Sequence, residues 1–124
     1  MSKKIIVAED SSVIQNLTKK ILSQLNYHIT AVKNGQQVLD LMSKDEYDLV
    51  LLDIHMPIMD GMECARTIRA LPNKQKQIPI IAITGNANNY TEQDFEAAGI
   101  NAYIPKPLNY DSLVEKVKEY INDN

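Results

Sequence analysis

Apolar positions along the chain fall into two alternating kinds of run, short unbroken blocks and longer segments in which they recur every three or four residues. The blocks are Ile5-Ile6-Val7-Ala8, Leu49-Val50-Leu51-Leu52 and Ile78-Pro79-Ile80-Ile81-Ala82-Ile83. Runs without polar alternation suit strands buried on both faces of a parallel sheet. His28-Ile29-Thr30-Ala31-Val32 is more polar, as an edge strand would be, and Ala102-Tyr103-Ile104 predicts a further short strand. Between the blocks, Val13, Ile14, Leu17, Ile21, Leu22 and Leu25 predict a helix packing that side inward, with Lys19 and Lys20 on the other face. The same spacing joins Val38, Leu39 and Met42, then Met62, Ala65, Ile68 and Leu71, then Phe95 and Ala98, and finally Leu113, Val114, Val117, Tyr120 and Ile121. Start signals precede each helix: Asp10-Ser11-Ser12, Asn34-Gly35, Asp60-Gly61, a capping-box pattern over Thr91-Glu92-Gln93-Asp94, and Asn109. Leu71-Pro72-Asn73 and Gly99 read as stops, and Lys74 to Gln77 and Asn86 to Tyr90 as polar loops.

Strand and helix therefore alternate through the whole length, which predicts an α/β fold with right-handed crossovers and helices on both faces of a parallel sheet. For a chain of five βα units, the common solution is a doubly wound, flavodoxin-like (βα)5 arrangement with strand order 2-1-3-4-5 and a crevice between strands 1 and 3. That order converts sequence position into spatial proximity. Glu9 and Asp10 follow strand 1, Asp53 ends strand 3, Thr84 ends strand 4 and Lys106 closes strand 5, so all of them are expected at the carboxyl edge where ligands bind in open sheets.

Composition narrows the possibilities. The 124 residues, 44% hydrophobic and 23% charged, are expected to form one soluble domain over 1–124. A net charge of -3 gives no general attraction for nucleic acid or an anionic membrane surface, and no apolar run approaches the ~20 residues needed to span a bilayer. Met1-Ser2-Lys3-Lys4 leads directly into a strand-like run, and Cys64 is the one cysteine, so a reducing cytoplasm is the expected location. His28 and His55 have no Cys or second His at ligand spacing and are expected to face solvent.

Carboxylates crowded at one edge repel, and the usual remedy is a hard divalent cation with oxygen ligands. Mg²⁺ suits such a set, because it pairs one or two carboxylates with phosphate oxygens and keeps some of its waters. With Lys106 as a cation and Thr84 as a hydroxyl, the group reads as a phosphoryl-handling site in which the central Asp53 is the nucleophile, forming an acyl phosphate.

Glu9-Asp10 after the first strand, the run Leu-Leu-Asp53-Ile-His-Met-Pro-Ile-Met-Asp-Gly, Thr84 after Ile-Ala-Ile, and Tyr103-Ile-Pro-Lys106-Pro107 together resemble the response-regulator receiver domain of two-component signalling. The wording of Met56 to Arg69 and Ile81 to Ala87 is similar to receivers of hybrid histidine kinases. The resemblance implies a metal site at Glu9, Asp10 and Asp53 with the backbone carbonyl of His55, taking Mg²⁺ or, in substitution, Mn²⁺. It implies that Asp53 is the phosphoacceptor, that Lys106 contacts the phosphoryl group, that Thr84 moves to hydrogen-bond it, and that the Tyr103 ring then turns inward. A cis peptide between Lys106 and Pro107 is also implied. His55 and Asn86 occupy places that tune acyl-phosphate lifetime in the family, and Gly85 leaves the acceptor accessible.

The implied donor is a histidine kinase or a histidine phosphotransfer protein. The implied output is a changed surface around strand 5 and its flanking helices, read by a downstream protein, with the chain a monomer or a phosphorylation-dependent dimer. The chain would be a phosphoacceptor with slow self-dephosphorylation, acting as an end-point switch, as a phosphotransfer intermediate, or as the receiver piece of a hybrid kinase. A phosphohydrolase with an aspartyl nucleophile would want an acid–base carboxylate where this chain has His55. A flavin-binding protein would want Ser, Thr and Gly after strand 1, where this chain puts two carboxylates.

Overall fold

A computed structural model describes residues 2–85 and 90–121. Asn86 and most of the expected loop around it lie outside the described residues. The elements are β1 (Lys4–Ala8), α1 (Ser12–Ser23), β2 (His28–Val32), α2 (Gly35–Lys44), β3 (Leu49–Asp53), α3 (Gly61–Arg69), β4 (Ile80–Thr84), α4 (Glu92–Ala97), β5 (Ala102–Pro105) and α5 (Tyr110–Ile121). The strands are all parallel in the order 2-1-3-4-5, as expected from the alternation.

Residues alternate between two cores along each central strand. Ile6, Ala8, Val50, Leu52, Ile80 and Ala82 pack against α2, α3 and α4, while Ile5, Val7, Leu49, Leu51, Ile81 and Ile83 pack against α1 and α5. Each Ile or Leu so enclosed contributes roughly 1.5–3 kcal/mol relative to leaving it exposed. This two-sided burial is why the strands read as unbroken apolar blocks, and every residue of β3 and β4 is buried.

Helix starts follow the side-chain chemistry. Asn34 accepts from Gln37 N at 2.9 Å, Asp60 from Glu63 N at 2.9 Å and Asn109 from Ser112 N at 3.1 Å, and Thr91 and Asp94 form the expected capping box. Gly61 is required because its Cα lies against the end of β3; a Cβ there would sit 2.5 Å from the Asp53 carbonyl oxygen. Gly99 ends α4 at φ +86°, where the Arg69 side chain fills the space a Cβ would need. The Arg69 guanidinium donates to the carbonyls of Gly99, Lys76 and Ile78 and to Asn101 Oδ1, tying the end of α3 to the entry of β4 and the exit of α4.

Two expectations are corrected. Lys74–Gln77 is a 3₁₀ turn and not a plain loop: Asn73 accepts from Gln75 N at 2.9 Å, and the Gln75 side chain bonds both the N–H and the carbonyl of Tyr47. On α1 the buried positions are Gln15, Thr18 and Leu22, whereas Val13 and Leu17, expected inward, are 79% and 43% exposed. The helix is rotated so that the Gln15 amide meets two carbonyls at the edge of the sheet, a requirement that apolar spacing alone does not reveal.

Candidate functional site

Each site residue is delivered by a strand end and held there by backbone hydrogen bonds. Glu9 follows β1, and its N–H bonds the Val32 carbonyl at 3.0 Å, extending the β1–β2 ladder by one residue. Its Oε2 accepts from Ser11 N at 3.0 Å, while Ser11 caps α1. Asp53 ends β3 at 2% exposure, and its Oδ1 accepts from His55 N at 3.2 Å. Thr84 ends β4 fully enclosed, and its carbonyl accepts from Lys106 N at 2.8 Å. From that anchor the Lys106 ammonium reaches back to lie 3.3 Å from Asp53 Oδ2 and 3.4 Å from Glu9 Oε1. The peptide between Lys106 and Pro107 is cis.

The sheet brings Glu9, Asp10 and Asp53 together so closely that one carboxylate oxygen from each lies within 4.8 Å of the others. Asp10 is exposed at the mouth and the other two are buried. Burial pushes the Glu9 carboxyl up to about 7, and the neighbouring Asp53 adds to the rise, against the opposing Ser11 N–H and Lys106. Burial alone would lower the Lys106 ammonium, but Asp53 and Glu9 outweigh it and hold its pKa above the usual lysine value. Glu9 Oε1 is buried with no hydrogen-bond partner among the described residues. A buried carboxylate oxygen that Lys106 approaches at 3.4 Å without a well-formed hydrogen bond, in a cluster of three carboxylates, can be completed by a hard cation with oxygen ligands, so the donor set fits Mg²⁺.

Tyr103 projects outward from β5 at 38% exposure. Its ring stacks on Phe95 with centroids 5.0 Å apart, and its hydroxyl donates to Glu92 Oε2 at 3.1 Å, which raises its pKa. Tyr90 lies 5.9 Å from Phe95 and 6.5 Å from the exposed His55 ring, so a line of rings runs from beside Asp53 to Tyr103. Gly85 is exposed against the Lys106 stem. The sequence reading missed Gln15, which binds the Glu9 carbonyl, and Glu92 and Phe95, which hold Tyr103. A signal for the first was present, a polar amide inside a helix's apolar stripe.

The receiver-domain model of response regulators matches residues 5–118 of this sequence. The chain belongs to the response regulator receiver family. It is 35% identical over 132 residues to hybrid signal transduction histidine kinase I of Dictyostelium discoideum, covering 98% of this chain but 8% of that protein. It is 29% identical to the polar-differentiation response regulator DivK of Brucella anthropi, covering 99% of both. The chain thus spans a small part of the hybrid kinases it matches and nearly all of DivK. Among solved structures, the receiver domain of sensor histidine kinase PA1611 from Pseudomonas aeruginosa superimposes with a TM-score of 0.89 at 32% identity, covering 99% of this chain and all of that one; that structure has magnesium coordinated in its active-site cleft. Receivers of this family are phosphorylation-controlled signalling switches of two-component systems and bind Mg²⁺ at an acidic site. In this receiver, no helix of the described residues is long and apolar enough to cross a membrane.

Proposed function

We propose that Asp53 is the phosphoacceptor of this receiver and that Glu9, Asp10, Asp53 and the His55 carbonyl hold its Mg²⁺. The observation carrying this is the position of the Asp53 carboxylate, clustered with Glu9 and Asp10 and 3.3 Å from the Lys106 ammonium. Bound Mg²⁺ supplies positive charge to the oxygens of the group in transfer, and Mn²⁺ substitutes because it accepts the same ligands. An Asp53 oxygen attacks the phosphorus of a phosphohistidine, forming a P–O bond as the P–N bond breaks and the imidazole leaves. Lys106 neutralises charge on the transferring oxygens, and the Thr84 hydroxyl moves to hydrogen-bond the phosphoryl group. Hydrolysis of the acyl phosphate by water resets the switch without turnover of any external substrate.

The donor is a histidine kinase or histidine phosphotransfer protein acting in the cytoplasm. Val13, Leu17 and Ile58, exposed on the two segments that leave the site, suit a protein donor pressed against the mouth. Ile58 is held at φ +70°, rare for a β-branched residue, at the centre of a turn in which Met59 N bonds the Pro57 carbonyl. For output, Tyr103 gives up Phe95 and Glu92 as it turns inward behind Thr84, changing the surface of α4, β5 and α5 that a downstream protein or a second copy reads. The same chemistry serves a free-standing regulator and a receiver segment of a hybrid kinase.

The test is intact-mass measurement after incubation with a small phosphodonor and Mg²⁺. One phosphoryl adduct is expected, stable in acid, labile in base and absent from Asp53→Asn. An unchanged mass of folded wild-type protein refutes the assignment.

A further inference from the structure

We propose that Gln15 is the positioning residue of the metal site, setting the affinity for Mg²⁺ by fixing the turn that carries Glu9 and Asp10; this rests on the metal assignment above. The turn between β1 and α1 has no strand partner of its own beyond the Glu9 N–H, which bonds Val32 O at 3.0 Å. Gln15, one turn into α1 and 92% enclosed by its 8% exposure, sends both protons of its amide back to this place, one to Glu9 O at 3.1 Å and one to Val32 O at 2.8 Å. The end of β2, the backbone of Glu9 and the first turn of α1 are thereby joined through one side chain. The Glu9 side chain is itself held by Ser11 N, so its carboxylate follows the backbone that Gln15 holds.

An inward position on an amphipathic helix would ordinarily take an apolar residue, and Leu22 does so further along the same face. A carboxamide there loses its water and must be matched with acceptors. Here both acceptors belong to the acidic turn and its strand neighbour, and none to the helix core. Groups that orient metal ligands from behind alter affinity by roughly 10–100-fold when removed. Gln15 acts on the ligand's main chain and not on its carboxylate, so it constrains where Glu9 and Asp10 stand without competing for the cation.

The experiment is an NMR titration of the metal-free protein with Mg²⁺, following backbone amides near the site, paired with thermal melts in chelator. Gln15→Met keeps the length and removes both donors; its Kd for Mg²⁺ is expected to rise about tenfold or more. Thr18→Val, a change on the same buried face at a hydroxyl that makes no hydrogen bond to the turn among the described residues, is expected to leave Kd within twofold. A Gln15→Met protein that melts lower but binds Mg²⁺ as the wild type does would show a merely structural role and overturn the proposal. Should Gln15→Met fail to fold, Gln15→Asn, whose amide is too short to reach both carbonyls, carries the same expectation and the same refutation. Absence of Mg²⁺ binding by the wild type would refute the metal assignment itself, and this inference with it.

Discussion

Replacing Glu9 by Gln isolates the electrostatic cost of the metal-free site. The Glu9 carboxylate is 1% exposed, has one oxygen without a hydrogen-bond partner among the described residues, and is pushed up by burial to about 7 against an ordinary 4.5. A folded pKa above the unfolded one means that the folded chain binds more protons between those values, so stability falls as pH rises through that window and is flat above it. At ~1.4 kcal/mol per unit, the rise from 4.5 to about 7 sets an upper bound of roughly 3–4 kcal/mol. Gln keeps the acceptor for Ser11 N and removes the buried charge, at the expense of the 3.4 Å pairing with Lys106, which retains Asp53. Glu9→Gln is therefore expected to be more stable than the wild type by about 1–3 kcal/mol near pH 8 in chelator, with the difference shrinking toward pH 5. Urea denaturation of both proteins at the two pH values measures it, and the exposed histidines cancel in the difference. On the proposed metal site, excess Mg²⁺ should then reverse the ranking, because the wild-type carboxylate offers the folded chain a charged ligand that Gln lacks. A wild type whose advantage or deficit relative to the variant does not change with pH, or a variant less stable near pH 8 without metal, would refute the reasoning.

Two further substitutions test the packing around the site. Thr18→Val replaces a buried hydroxyl that has no hydrogen-bond partner among the described residues by a methyl of similar shape, and should raise stability by about 1 kcal/mol, read as a higher urea midpoint at unchanged slope. Gly61→Ala places a Cβ 2.5 Å from the Asp53 carbonyl oxygen, which is backbone and cannot swing aside, so a loss of about 1–3 kcal/mol is expected, together with weaker phosphorylation as the end of β3 is displaced; a neutral effect on both would show that the loop yields freely.

The helix that misled sequence reasoning shows where legibility stops. In β3 and β4 burial on both faces leaves one solution for an apolar block, and the strand order is enough to place Glu9, Asp10, Asp53, Thr84 and Lys106 at one edge. In α1 the apolar residues spread over about half the circumference, so periodicity permits several rotations about the axis. The rotation adopted puts Gln15 and Thr18 inside and Val13 and Leu17 outside, chosen by the carbonyls that Gln15 satisfies. Tyr103 was legible as a residue on β5 whose ring turns inward on switching, but the partners that hold it outward were not, because Phe95 and Glu92 come from α4, across the sheet edge.

By itself, then, the order of residues determined the five βα units, the parallel sheet and the convergence of the acidic, hydroxyl and lysine side chains, since each follows from local periodicity and a topological rule. Tertiary structure alone decided the helix rotations, the raised proton affinity of Glu9, the Gln15 tie and the partners that hold Tyr103 outward. Those depend on distances between groups far apart in the chain, and on how much water each loses when the elements close together.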